Sequence, residues 1–238
     1  MAGRAGTESS GRSAGGPQAA ERLGVEPEQV RRLIRAGQLA ARRVGRTLVL
    51  DEDAVEGRAR LPITAGRALA PRTVWAALWQ LSGEDVDWLL PADRSRLLTR
   101  LRGYDAERLV AASRDRADRH ELRVLPAYRD RLLATADAVP SGLTAAAAVG
   151  ADVVAAEAAA EVYCTAGTLD ALRRELGLSE RGNANLVVRV PRYERLGLTG
   201  RAHMPAAVVA VDLAESPDVR TRRAGLDLLA AALGDLTR

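Results

Sequence analysis

Residues 17–37 constrain this chain more than any other segment. Their apolar positions fall into two short helical clusters separated by a glycine. Pro17 suits the first turn of a helix, and Ala19, Ala20 and Leu23 supply that helix with a small apolar face. Gly24 permits the left-handed residue that ends it and starts a tight turn, under which Val25 packs. Pro27 opens a second helix, with Val30, Leu33 and Ile34 pointing inward at i, i+3 and i+4. Gln29, Arg31, Arg32 and Arg35 are left on its outer faces, and Gly37 ends it. Residues 39–50 read as a β-hairpin, with Gly45-Arg46 as the turn between Val44 and Leu48. Asp51 is expected to cap a third helix running through Val55.

Charge gives this module a partner. The 238-residue chain carries 35 basic residues, all arginine, against 31 acids, for a net charge of +4. The Ala/Arg/Gly/Leu/Val-rich composition is that of a high-GC coding bias, so arginine counts alone say little, and placement must carry the argument. Residues 17–50 hold seven arginines and three glutamates, a local +4 that equals the net charge of the whole chain. Two short helices with a basic second helix, followed by a basic hairpin, fit a duplex with the second helix in the major groove. Arg31, Arg32 and Arg35, with Glu28 and Gln29, are expected to face the groove. Arg42, Arg43, Arg46 and Thr47 are expected on the wing against the phosphate backbone.

The segment resembles the winged helix-turn-helix of the MerR and excisionase families over about 40 residues. The resemblance rests on the Leu-Gly-Val turn, the Val-Arg-Arg-Leu-Ile helix, the glycine after it and the Arg-Val-Gly-Arg wing. It implies double-stranded DNA as the partner. One departure lies at the helix tip, where members commonly carry Ser or Thr in place of Glu26 and a basic or polar residue in place of Glu28. A carboxylate there stabilises the helix N-terminus and repels phosphate, although Glu28 could accept from a cytosine amino group.

The rest of the chain reads as α+β: a helical middle segment and a C-terminal mixed α/β domain. Residues 1–16, poor in large apolar side chains, read as a disordered tail. The DNA-binding module is placed at 17–60, a linker around Leu61-Pro62 and 66–71, a helical segment at 71–135, and the α/β domain at 136–238. Val74, Trp75, Leu78, Trp79 and Leu81 give one helical face, Leu97, Leu98 and Leu101 a second, and Leu109, Val110 and Ala112 a third behind an Asp105 cap. All three tryptophans fall here and read as core. Strands are expected at 159–165, 185–190 and 206–213. Helices are expected at 143–149, 168–176 and 218–233, the last with Ala224, Leu226, Leu229 and Leu233 inward.

Several motifs after residue 118 resemble antitoxins of the AbiEi type, from type IV toxin–antitoxin (abortive infection) systems. They are Arg119-His120 with Leu125-Pro126, the run Val139-Pro140-Ser141-Gly142-Leu143-Thr144-Ala145-Ala146, Glu161-Val162-Tyr163, Asn185-Leu186-Val187-Val188-Arg189, Val211-Asp212-Leu213, and Asp218-Val219-Arg220 before the closing helix. The resemblance spans about 115 residues. It implies autorepression through the winged helix and a C-terminal domain that counteracts a nucleotidyltransferase toxin without a stable complex. Half-site geometry suggests a homodimer on an inverted repeat.

Other readings stay open. A ligand-sensing MerR-like regulator would need an apolar pocket with convergent polar groups. A nucleotidyltransferase-like enzyme would need a carboxylate pair. Asp212, Asp218 and Arg220 read instead as a turn cap or an ion pair, and the region after residue 118 has no Asp-x-Asp, no phosphate-binding glycine loop and no HExxH. No catalytic residue, cofactor or metal ligand is assigned, and the chain is expected not to be an enzyme. His120 and His203 lack metal-ligand company, and Cys164 reads as a buried small hydrophobe. The apolar stretch at 143–164 is alanine-rich and interrupted by Asp152, Glu157 and Glu161, so no membrane span is expected. With no secretory signal, the expected compartment is the cytoplasm.

Overall fold

A computed structural model describes residues 13–23, 25–35, 39, 41–44, 47–51, 55, 68–153, 160–180 and 183–236. The chain divides into two compact units, Met1–Leu61 and Pro62–Arg238. Helix and sheet are mixed in the α+β manner.

The first unit contains strand β1 (Ser13–Gly15), helix α1 (Gly16–Leu23), helix α2 (Pro27–Arg35) and the hairpin of β2 (Ala41–Val44) and β3 (Thr47–Asp51). The three strands form an antiparallel sheet in the order β1-β3-β2. β1 corrects the expectation of a disordered tail through residue 16: Ser13 pairs with Asp51 and Gly15 with Val49. The reason is non-local. A two-stranded hairpin leaves one edge of β3 with unpaired backbone groups, and any passing backbone can satisfy them, even Ser-Ala-Gly. The core holds Ala19, Ala20, Leu23, Val30, Leu39, Leu50 and Val55, with Val25, Ile34 and Ala41 packed against it. Val55 is helical, but Asp51 ends β3, so the expected cap at that position is a strand residue. The turn residues Gly24, Gly37, Gly45 and Arg46 lie outside the described residues.

The second unit is built from α3 (Pro71–Leu81), α4 (Pro91–Leu101), α5 (Ala106–Ala112), β4 (Ala117–Leu122), α6 (Pro126–Leu133), β5 (Val139–Pro140), α7 (Gly142–Ala145), β6 (Ala160–Tyr163), α8 (Ala166–Leu176), β7 (Leu186–Pro191), α9 (Ala206–Ala214) and α10 (Val219–Asp235). A 3-10 turn at Ala147–Val149 follows α7. Four strands form one sheet in the order β4-β7-β6-β5, parallel only between β6 and β7, which α8 connects. A parallel pair needs such a crossover.

Alternation along these strands separates two cores. Leu122, Val162, Cys164 and Val188 pack with Leu132, Leu169, Leu172 and Leu176 of α6 and α8. Val139 and Tyr163 belong to the larger core, with the tryptophans of α3 and the apolar residues of α9 and α10. Trp75 and Trp79 are buried there, with ring centroids 5.4 Å apart in an edge-to-face pair.

Two expectations change. The charged stretch at 114–123, placed in a purely helical segment, contains β4, and the segment at 71–135 shares its core with β6, α9 and α10. β4 is an edge strand with an exposed middle, so it lacks the apolar alternation by which half-buried strands are read. Residues 206–213, expected as a strand, are helix α9. Its valines favour a strand, but the alanines favour a helix, and eight of its nine residues, Ala207 through Ala214, are buried. A helix apolar on every side is a core helix. α10 packs closely against it at Gly225, where a Cβ would fall on the backbone of Ala210 and Ala214 and stand 2.9 Å from the carbonyl carbon of Leu213.

Candidate nucleic-acid interface

The two helices of the first unit meet through a turn closed by backbone bonds. Val25 N–H donates to Ala20 C=O at 3.0 Å, which stops α1. Glu26 C=O accepts from Gln29 N–H at 2.8 Å and from Val30 N–H at 3.3 Å, which starts α2. Val30 anchors α2 in the core with 1% exposure, and Ile34, four residues on, is half-buried. That fixes which face turns outward.

Of the expected groove residues, Glu28 and Arg31 are exposed and Gln29 is half-buried. Arg31 Nη1 donates to Glu28 Oε2 at 2.9 Å, one turn away on the same face. Both side chains are about two-thirds exposed (67% and 63%), so the pair adds little stability. Its consequence is electrostatic. A carboxylate stands beside the guanidinium that would approach phosphate, and it offsets part of the positive field at the helix tip. Arg32 and Arg35 lie on α2, Arg42 and Arg43 on β2, and Thr47 opens β3, but their side chains are outside the description, as is Arg46 altogether. The hairpin register pairs Arg42 with Val49, Arg43 with Leu48 and Val44 with Thr47. This places Arg42 and Arg43 on the strand that forms one edge of the sheet.

The carboxylates of the second unit are arranged differently from the expectation. Asp212 does not pair with Arg220 and does not end a strand. It sits in the second turn of α9, fully buried, between two guanidiniums. Arg116 Nη2 donates to its Oδ1 at 2.5 Å, and Arg189 Nε lies 3.2 Å from the same oxygen. Tyr163 Oη donates to Oδ1 at 3.0 Å, and Ser141 Oγ donates to Oδ2. Arg116 also grips both oxygens of Glu215, at 2.6 and 2.8 Å, while Arg189 reaches Glu161 at 2.8 Å and Glu215 at 3.1 Å. Asp218 is elsewhere, capping α10 through Thr221 N–H and Oγ1, both at 2.8 Å.

Two arginines and three carboxylates thus share one buried cluster. Burial would raise the Glu215 carboxyl, but the adjoining Arg116 and Arg189 hold it at about 2. Glu161, where burial outweighs Arg189, is pushed above its ordinary value. Both guanidiniums stay firmly protonated: desolvation opposes their charge, and the surrounding carboxylates more than restore it. Every member has a hydrogen-bonding partner inside the protein, so the cluster ties β6, β7 and α9 to Arg116, one residue before β4. Sequence reading missed it, although a signal existed. Asp212 is the only charged residue in a nine-residue apolar helix, and such a carboxylate must find a cation.

The remaining candidates have local roles. Cys164 is buried, and burial with Asp137 nearby pushes its thiol up to about 12, which suppresses thiolate reactivity. His203 Nδ1 lies 2.8 Å from Met204 C=O, and His120 sits in β4 with its pKa lowered by burial and by Arg173. Among the described residues, no three His, Cys, Asp or Glu side chains group closely enough to hold a metal ion. No described helix is long and apolar enough to cross a membrane.

No curated protein and no solved structure matches the chain. A family model for a helix-turn-helix domain matches residues 17–58, which supports a DNA-binding, regulatory role for the unit that carries α1, α2 and the hairpin.

Proposed function

We propose that this chain is a sequence-specific, double-stranded DNA-binding transcriptional regulator without catalytic activity. It represses its own operon as the antitoxin of a type IV toxin–antitoxin system and opposes a nucleotidyltransferase toxin. The observation that carries the DNA-binding part is the joined α1–turn–α2 with its hairpin, inside the segment that matches a helix-turn-helix domain. The antitoxin part rests on the motifs spread over the second unit, among them Ser141, Glu161, Tyr163, Arg189 and Asp212. All five join the buried cluster. They act in this reading by shaping the domain, and no reaction is assigned to them.

Footprinting on the chain's own upstream region tests the first part. Protection of two half-sites about one helical turn apart is expected. Co-expression with the neighbouring gene product tests the second part: the regulator should restore growth to cells that the neighbour arrests. A neighbour that causes no arrest, or an arrest the regulator leaves intact, removes the antitoxin role and leaves the DNA-binding one standing. A second reading, a ligand-sensing regulator, is favoured by one observation, an arginine-lined cleft on α3 and α4.

A further inference from the structure

A cleft of about 320 Å³ opens beside the first turn of α3 and one face of α4. Asp93, Arg96, Leu97 and Arg100 line it from α4, at the i, i+3, i+4, i+7 spacing of a single helical face. Arg72 and Thr73 line it from α3. Leu97 is buried and Leu89 half-buried, so the cleft has an apolar part beneath its charges.

The three arginines are held differently. Arg72 donates to Trp88 C=O, and Trp88 Nε1 donates back to Arg72 C=O at 3.3 Å, so this guanidinium is fixed before any ligand arrives. Arg96 is held by Asp93 at 3.1 Å. The Arg100 guanidinium lies 5.7 Å from the Tyr104 ring centroid and has no ion pair among the described residues. Three cations against one carboxylate leave a net +2 in one concavity, which draws in an anion. An arginine bonded on one side still presents N–H groups on the other, and that fork matches phosphate oxygens. The α3 N-terminus adds its partial positive charge, since Ala70 there supplies no side-chain cap.

We propose that this cleft binds a phosphate group on a ligand of nucleotide size, with Arg72, Arg96 and Arg100 as its donors. The volume lies at the small end of ligand sites. The phosphate can belong to a free phosphorylated small molecule or to a nucleic-acid backbone. The site lies wholly in the second unit and does not depend on DNA binding by the first.

The test uses the full chain in four arms: wild type, R96A/R100A, R31A/R32A/R35A, and a DNA titration of the first two. Inorganic pyrophosphate is the probe, at constant ionic strength set with sodium chloride. Saturating pyrophosphate should raise the unfolding midpoint of wild type and of R31A/R32A/R35A by several degrees. R96A/R100A should fold normally by circular dichroism, since both side chains are exposed, and should show no rise. No pyrophosphate response, combined with weaker DNA binding and a shallower salt dependence in R96A/R100A, assigns the phosphate to a nucleic-acid backbone. Equal responses in all three proteins would overturn the proposal, as would a wild type indifferent to pyrophosphate whose DNA affinity R96A/R100A retains. Loss of DNA binding in R31A/R32A/R35A alone bears only on the helix-turn-helix.

Discussion

Arg31 in the first unit keeps about two-thirds of its side chain in water, whereas Arg116 and Arg189 in the second keep 3% and 5%. The same residue type thus has two different uses. An exposed guanidinium contributes almost nothing to stability and remains available to a ligand. A buried one has paid its desolvation cost and holds only if every donor finds an acceptor. Arg31 should therefore govern binding and leave folding alone. The buried pair should govern folding.

The contrast is broken most severely at Asp212. Replacing it with Ala leaves Arg116 and Arg189 facing each other without the carboxylate between them. The expected loss is roughly 3–5 kcal/mol, read by urea denaturation followed through tryptophan fluorescence. All three tryptophans lie in the second unit, so the signal reports that unit alone. A loss under about 1 kcal/mol would mean that the cluster does not hold the sheet to α9.

Acid should reveal the same cluster more gently. Glu215 titrates at about 2 in the fold, below its ordinary 4.5, so its stabilisation is complete above about pH 4.5 and disappears as pH falls toward 2. That is at most about 3 kcal/mol. Glu161, raised by burial, has the opposite sign: its protonation favours the fold, and that contribution is lost as pH rises through its folded value. Glu215→Gln should flatten the acid limb of the stability curve below pH 4.5. An unchanged limb would place the acid sensitivity elsewhere.

Gly225→Ala probes close packing without touching charge. The added methyl meets the α9 backbone rather than a movable side chain, and a cost of about 1–3 kcal/mol is expected in the same denaturation assay. A stabilised or neutral variant would show that α10 can back away from α9.

These elements differ in how far sequence could disclose them. α1 and α2 are legible because each rests on neighbours at i+3 and i+4 and on a proline at its start, and the hairpin is legible from its own alternation. β1 is not, since Ser13, Ala14 and Gly15 become a strand only by pairing with Val49, Leu50 and Asp51. The run at 206–213 reads as a strand from its valines, and only burial on every side makes it a helix. Asp212 shows the limit most clearly. Its partner Arg116 is 96 residues away, and nearby Arg220, a reasonable guess along the chain, plays no part in its ion pairing. Of the candidate interface, the sequence discloses which residues lie on α2 and the wing, but not the Glu28–Arg31 pair that tempers its charge.

That pair gives the smallest effect. Glu28→Gln should change stability by less than about 0.5 kcal/mol and strengthen DNA binding a few-fold at low salt, as measured by fluorescence anisotropy. Weaker binding to one operator sequence, with non-specific binding improved, would instead give Glu28 a base to read.

The reading of α2 as the recognition helix makes Arg31, Arg32 and Arg35 the residues that meet DNA. It is tested most directly by the salt dependence of duplex binding for wild type and R31A/R32A/R35A. The variant should bind at least about tenfold more weakly, with a log–log slope shallower by about 0.9 for each phosphate contact removed, and unfold at the wild-type urea midpoint. Equal affinity and equal slope in the two proteins would contradict it.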